Sequence, residues 1–323
     1  MFELQDIINH LLIKKINGMN CTSKAAMENN VSLLNQCLTF GGFAKDAVYG
    51  FACASNIEKV NQSLSKEVPL PEKSNFISAA VNGYAFSDNK KQIYSLTNYR
   101  DYQSERAYGV SQAGRTAELN ILLHHNRSLF SEAVRGYAST NQAEKLMPLI
   151  AGTNQYPIAI RAAAKNGHAS LVNSILDRHL LDHATQSYCQ GHHFEHAANL
   201  LERGANSTLA LANLVDTHKQ PNKAFYLMLL VHINDTTCFD KTIKSINLQA
   251  QSSPSLEISQ QDISDISKIK SHMQENNCTF LHACIKNELI SPAPSEADMT
   301  LITELMALSH RDVDSSPTST PSI

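Results

Sequence analysis

The sequence predicts an all-α chain, an α-solenoid of stacked helix pairs curved right through the repeat region. Three observations predict it. A Gly, Asn, Ser or Thr suited to ending one helix before the next recurs at Asn29, Ser55, Gly83, Gly114, Asn141, Gly167, Gly191 and Thr217, with steps of 26, 28, 31, 27, 26, 24 and 26 residues. Each such residue follows a short run rich in Ala and other small side chains, as in Ala162-Ala-Ala-Lys-Asn-Gly167. Each precedes a segment with one apolar stripe, such as Leu171, Ile175 and Leu176, or Leu119, Leu122 and Leu123. A constant period of this length marks units that bury their apolar faces only against neighbours. The residue past a helix end often takes the left-handed conformation, which Gly and Asn tolerate.

Taken in order, residues 1–20 form an N-terminal capping helix, with Leu4, Ile7, Ile8, Leu11 and Leu12 along one side. Residues 21–248 hold about eight helix pairs. Residues 249–268, opening with Gln249-Ala-Gln-Ser-Ser-Pro-Ser255, read as a loop or linker. A terminal helix pair spans 269–310, split by Ser291-Pro-Ala-Pro-Ser295, and Ser295 with Asp298 signals a helix start. Residues 311–323 carry the composition of a disordered tail.

Several of these segments resemble the ankyrin repeat. Ala162 to Leu176 is similar to the family's alanine run, Gly-His turn and Leu-Val second helix. Leu200-Leu-Glu-Arg-Gly204-Ala-Asn206 resembles its second-helix ending, and Thr279-Phe-Leu281-His282-Ala-Cys284 its opening Thr-Pro-Leu-His-x-Ala. Phe280 replaces the proline and Cys284 the last alanine, and most steps fall below the family's roughly 33 residues. The resemblance therefore implies short or absent β-hairpin fingers and a role in binding proteins. It covers 21–232 loosely and 276–310 separately.

Composition excludes several classes. The net charge is −3, divided into +3 for residues 1–250 and −6 beyond, far from the basic footprint of a nucleic-acid binder. The longest apolar run, Phe225 to Val231, is too short for a membrane span, and Met1 to His10 lacks the positive charge of a signal peptide. Seven cysteines without a Cys-x-x-Cys pair fit a reducing cytoplasm. No glycine-rich phosphate loop and no cofactor motif occurs.

Two clusters stand out as candidate sites. Tyr84, Phe86, Tyr94, Tyr99, Arg100, Tyr102 and Arg106 crowd the longest step, and Tyr and Arg dominate protein–protein hot spots. His192, His193 and His196 form the one candidate metal cluster, since helical residues four apart share a face. The order His-His-Phe-Glu-His is not that of a metalloprotease. A Cys278–His282 pair one turn apart is a weaker candidate nucleophile, as such pairs normally come from separate elements.

The leading expectation is a non-catalytic solenoid, free of cofactors, that grips a protein partner on its concave face. The Asn-, Ser- and Gln-rich composition and polar C-terminus also resemble effectors that intracellular bacteria deliver into host cells, which implies a host protein as partner. The alternative is a metal-dependent hydrolase using His192, His193 and His196. Oligomeric state, and whether 269–310 docks on the array, are left open by the sequence.

Overall fold

The computed structural model describes residues 2–65, 69–97, 101–214, 221–251 and 253–310. They form 21 α-helices and two strands of two residues each. Among them no helix is long and apolar enough to cross a membrane.

After β1 (Phe2–Glu3) and α1 (Leu4–Ile13), seven helix pairs follow in chain order. They are α2 (Cys21–Met27) with α3 (Val31–Thr39), α4 (Ala44–Cys53) with α5 (Ile57–Leu64), and α6 (Leu70–Phe86) with α7 (Lys90–Leu96). Next come α8 (Gln103–Gln112) with α9 (Thr116–His125), α10 (Phe130–Ser139) with α11 (Ala143–Ile150), and α12 (Tyr156–Lys165) with α13 (Ala169–Ile175). The seventh is α14 (Leu181–Gln190) with α15 (Phe194–Glu202). The chain continues through α16 (Ser207–Leu211), α17 (Lys223–His232), α18 (Thr236–Ala250), α19 (Gln260–Asn276) and α20 (Phe280–Lys286). It ends with β2 (Ile290–Ser291) and α21 (Glu296–His310). First helices pack on one another in sequence, α2 on α4, α4 on α6, and so on through α14 to α16, while α15 packs on α17 and α17 on α19.

One turn joins every pair. Its central residue is left-handed at Asn29, Ser55, Asp88, Gly114, Asn141, Gly167 and His192, with φ between 54° and 77°. The next backbone N–H reaches back to the first helix: Asn30 to Ala25, Asn56 to Phe51, Asn89 to Tyr84, Arg115 to Val110, Gln142 to Tyr137, His168 to Ala163, His193 to Tyr188. This is the Schellman arrangement, which satisfies carbonyls that a helix end leaves open. In the first three pairs the following Asn caps the second helix, its side chain accepting from Leu33, Lys59 and Gln92 N–H.

The structure corrects three sequence expectations here. Gly83 is not a turn; it lies inside α6, and the turn sits at Asp88. A Cβ on Gly83 would lie 2.6 Å from the Tyr49 carbonyl, so the glycine serves close packing of α6 on α4. Gly50, Gly109 and Gly136 occupy the same place in their helices, five residues before the turn, against the Ser23, Asn82 and Tyr108 carbonyls. The left-handed residue of the seventh turn is His192, with Gly191 the last cap of α14. The long step therefore lies between Ser55 and Asp88, taken up by the seventeen residues of α6. Thr217 and residues 311–323 fall outside the described residues.

The segment 249–268, expected as a linker, is largely structured. Ser259 and Asp262 form a reciprocal capping box that starts α19, and Leu256, Ile258 and Ile266 are buried. The terminal helix starts as expected, with Ser295 and Asp298 bonded reciprocally. It does not extend the array outward: α21 packs on α1, α2 and α3, so the last described helix lies against the first. Phe2 and Glu3 pair in parallel with Ile290 and Ser291. The Cys21 thiol lies 3.4 Å from the Leu11 and Leu305 carbonyls, and Lys24 Nζ donates to the Leu308 carbonyl at 2.8 Å, closing the last turn of α21. The N-terminal helix is consequently no solvent-facing cap but part of this closure.

Candidate functional site

The described members of the aromatic cluster do not share one exposed surface. Tyr84 is 1% exposed, because it repeats the core position four residues before a turn that Phe51, Val110, Tyr137 and Tyr188 also fill. Arg106 is 5% exposed and lies 5.7 Å from the centroid of the Tyr94 ring. Phe86 and Tyr102 are half-buried, with the Tyr102 hydroxyl 3.5 Å from Ser74 Oγ. Tyr94 alone is openly exposed, at 50%. Tyr99 and Arg100 lie outside the described residues. Space-filling inside the pair explains Tyr84 and Arg106 better than partner contact does.

The turn ends of the pairs are partly covered by the chain itself. Residues 15–18 lie across the turn ends of successive pairs: Gly18 N–H donates to Asn166 Oδ1 at 2.9 Å, and His193 Nε2 donates to the Lys15 carbonyl at 3.0 Å. A Cβ on Gly18, whose φ is +81°, would meet Gln112 Nε2 at 2.2 Å. A separate groove of about 600 Å³ runs across α10, α12 and α14, lined by Glu132, Arg135, Arg161, Lys165, Gln186 and Gln190 among others. Arg135 and Arg161 each stand six residues before their turn, so they are equivalent positions of consecutive pairs. Arg135 lies over the Tyr108 ring, 4.6 Å from its centroid, and pairs with Glu132 at 2.5 Å. Arg161 donates instead to His183 Nδ1 at 3.0 Å, and together with burial its charge holds that imidazole below its ordinary range. Burial and the charges of Lys15, Arg135 and Lys45 lower the Lys165 pKa, Asp46 opposing them. Among the described residues Lys15, Lys45, Arg161 and Lys165 form no ion pair with a carboxylate. Sequence reasoning missed this groove, though Arg135 and Arg161 stand 26 residues apart and that spacing was available.

The histidines lie elsewhere, at the closure. Because His192 is the left-handed turn residue and α15 starts only at Phe194, His192 and His196 do not share a helical face. The His192 ring packs edge-on to Phe225 at 4.4 Å and stacks on His10 at 5.5 Å. His193 caps α15, and its ring is 6.4 Å from that of His196. Among the described residues no three His, Cys, Asp or Glu side chains are grouped to hold a metal ion. The three rings therefore offer no common coordination point for the hydrolase alternative.

Burial, reinforced by Lys14 and His196, holds the His193 pKa down at about 3. His10 is lowered well below its usual value by burial and then by His192, Lys14, His193 and His232. Burial likewise lowers His196 and His232, with Glu195 opposing. These imidazoles are neutral at pH 7. A carbonyl can only accept, so the His193 proton sits on Nε2 and leaves Nδ1 as an acceptor.

Burial disfavours the thiolate form at five of the cysteines. Burial pushes the Cys21 thiol up to about 12 and Cys37 to about 11, and raises Cys53, Cys189 and Cys284 as well. Cys278 Sγ points to the His272 carbonyl at 3.7 Å. The chain matches no known protein family, no curated protein and no solved structure.

Proposed function

We propose that the chain is a non-catalytic, ankyrin-like helical-repeat binding protein, an α-solenoid whose groove across α10, α12 and α14 holds an acidic segment of a protein partner. The observation that carries this reading is the pair of arginines, Arg135 and Arg161, at equivalent positions of consecutive units beside the unpaired Lys165. Arg135 shares its charge with Glu132, but Arg161 and Lys165 have no carboxylate partner among the described residues, and such an excess of cations along a groove attracts an anionic chain. Seven identical turns and first helices that pack in chain order support the repeat reading, since such arrays present extended surfaces rather than closed pockets. On composition alone, the partner is a host protein and the chain a delivered bacterial effector; a reporter fusion that never leaves the donor cell would remove that part.

The test is fluorescence anisotropy with a labelled peptide of ten glutamates and a matching glutamine peptide. Wild type should bind the glutamate peptide in low salt, lose it as salt rises, and lose it in Arg161→Glu. Equal binding of both peptides, or indifference to Arg161→Glu, would remove the groove from this role.

A further inference from the structure

Where the chain ends meet, α1, α15, α17, α20 and α21 leave a cleft of about 240 Å³. Its wall is mostly apolar: Ile7, Leu11, Phe194, Met228, Phe280 and Met306. Its polar lining includes His10 from α1, Lys14 just after it, His192 and His193 of the seventh turn, His196 from α15 and His232 from the end of α17. Thr279 and Ser309 lie on the C-terminal side, but the Ser309 hydroxyl is engaged with the Met306 carbonyl at 2.8 Å. Glu195 stands exposed at the mouth.

Two of these groups are unsatisfied. His10 Nδ1 is buried with no hydrogen-bond partner. Lys14 has neither a carboxylate within ion-pair reach nor a side-chain hydrogen bond among the described residues, although burial lowers its pKa. Folded proteins rarely leave a buried imidazole nitrogen without a partner, and beside it the half-buried Lys14 ammonium, which Glu195 reaches only at a distance, favours an anionic group in the cleft. Apolar walls with a few convergent polar groups are the usual make-up of a small-molecule site.

We infer that this cleft binds a small carboxylic acid with an apolar body, its carboxylate against Lys14 and His10 and its hydrocarbon among Ile7, Leu11, Phe194 and Met306. A cation next to polarisable neutral rings selects an anion, and the apolar wall selects the rest of the molecule. Scaled from the roughly 150 Å³ that hold benzene, the space fits about ten non-hydrogen atoms. The site is independent of the groove across α10, α12 and α14, and its ligand would bridge the N-terminal and C-terminal segments.

The experiment titrates full-length protein with phenylacetate and with octanoate, each of ten non-hydrogen atoms, by calorimetry and by NMR of the histidine rings, using phenylacetamide as the uncharged control. Saturable binding of either acid is expected, with phenylacetamide at least about tenfold weaker. Binding should also perturb the His10 and His232 resonances. Lys14→Met should abolish binding of the acid yet raise the melting temperature, because it removes a half-buried cation with no carboxylate in ion-pair reach while keeping the apolar stem. A merely structural lysine would instead destabilise the fold when replaced. Failure of both acids to saturate below about 10 mM, near the weak limit of specific binding, would overturn the inference. So would equal binding of acid and amide, or binding unchanged in Lys14→Met. A Lys14→Arg variant that folds and retains the acid would support it.

Discussion

From Ala44 to Ser139, each first helix meets the one before it through a glycine set against bare backbone: Gly50 on Ser23, Gly83 on Tyr49, Gly109 on Asn82, Gly136 on Tyr108. At the closure, α1, α15, α17, α20 and α21 meet through imidazole rings, a lysine and a cleft. The first region is joined by close backbone contacts, and its groove lies on the outside of those contacts. The second keeps buried polar groups that an apolar packing would have avoided at lower cost. The difference separates a region whose polar groups face an outer groove from one that encloses them in a cleft.

The sharpest way to break this comparison is inside the regular region. Gly50→Val places a Cβ 2.1 Å from the Ser23 carbonyl, and backbone cannot yield as a side chain can. We expect a loss of more than about 4 kcal/mol in urea denaturation. Gly152→Ala, at φ +70° with open space around it, should lose only about 1 kcal/mol from backbone strain. Similar losses for the two would show that close helix approach is not what the in-helix glycines serve.

Next in size is the closure itself. Leu305 is fully buried on α21, and Leu305→Ala should cost about 3 kcal/mol. Hydrogen exchange should then rise selectively over 4–13 and 280–310 and stay unchanged over 103–175. Uniform acceleration would mean that the closure and the pairs open as one unit.

Acid should also separate the two regions. A folded-state histidine pKa held below its unfolded value of about 6.5 means that the unfolded chain binds more protons, so stability is present above pH 6.5 and is lost as pH falls toward the folded value. For His193, held at about 3, the slope is about 1.4 kcal/mol per pH unit, or about 2 kcal/mol between pH 6.5 and 5. His193→Gln keeps a donor for the Lys15 carbonyl and should flatten that slope by about one proton. An unchanged slope would assign the acid sensitivity to other groups.

The smallest effects belong to the caps. Asn56→Ala and Asn89→Ala should each cost about 1 kcal/mol, because Lys59 and Gln92 N–H lose their acceptors. A neutral result would place the turn's strength in its backbone bonds alone.

Much of the fold was legible in local pattern. The turns at Asn29, Ser55, Gly114, Asn141 and Gly167 are set by residues that tolerate positive φ, and each needs only its own neighbours to form. The turn at Asp88 was misread because Gly83 offers the commoner turn residue five positions earlier. The informative signal was the couple Gly50-Phe51, Gly83-Tyr84, Gly109-Val110 and Gly136-Tyr137, a close-contact residue followed by a core residue. The same couple explains why Tyr84 is core and not interface.

The sites were less legible. His192, His193 and His196 were conspicuous as a cluster, but adjacency along the chain does not show where rings point, and a left-handed backbone at His192 turned the cluster apart. His10 lies about 180 residues from His192 in sequence, yet the two rings stack at 5.5 Å. By itself, then, the sequence determined the helical class, the period and most turns, because these follow from backbone preference and apolar spacing within some thirty residues. Only the tertiary structure decided that α21 returns to α1 and that Lys14 and His10 face one cleft. Those contacts depend on the accumulated geometry of every intervening helix pair, which no local pattern carries.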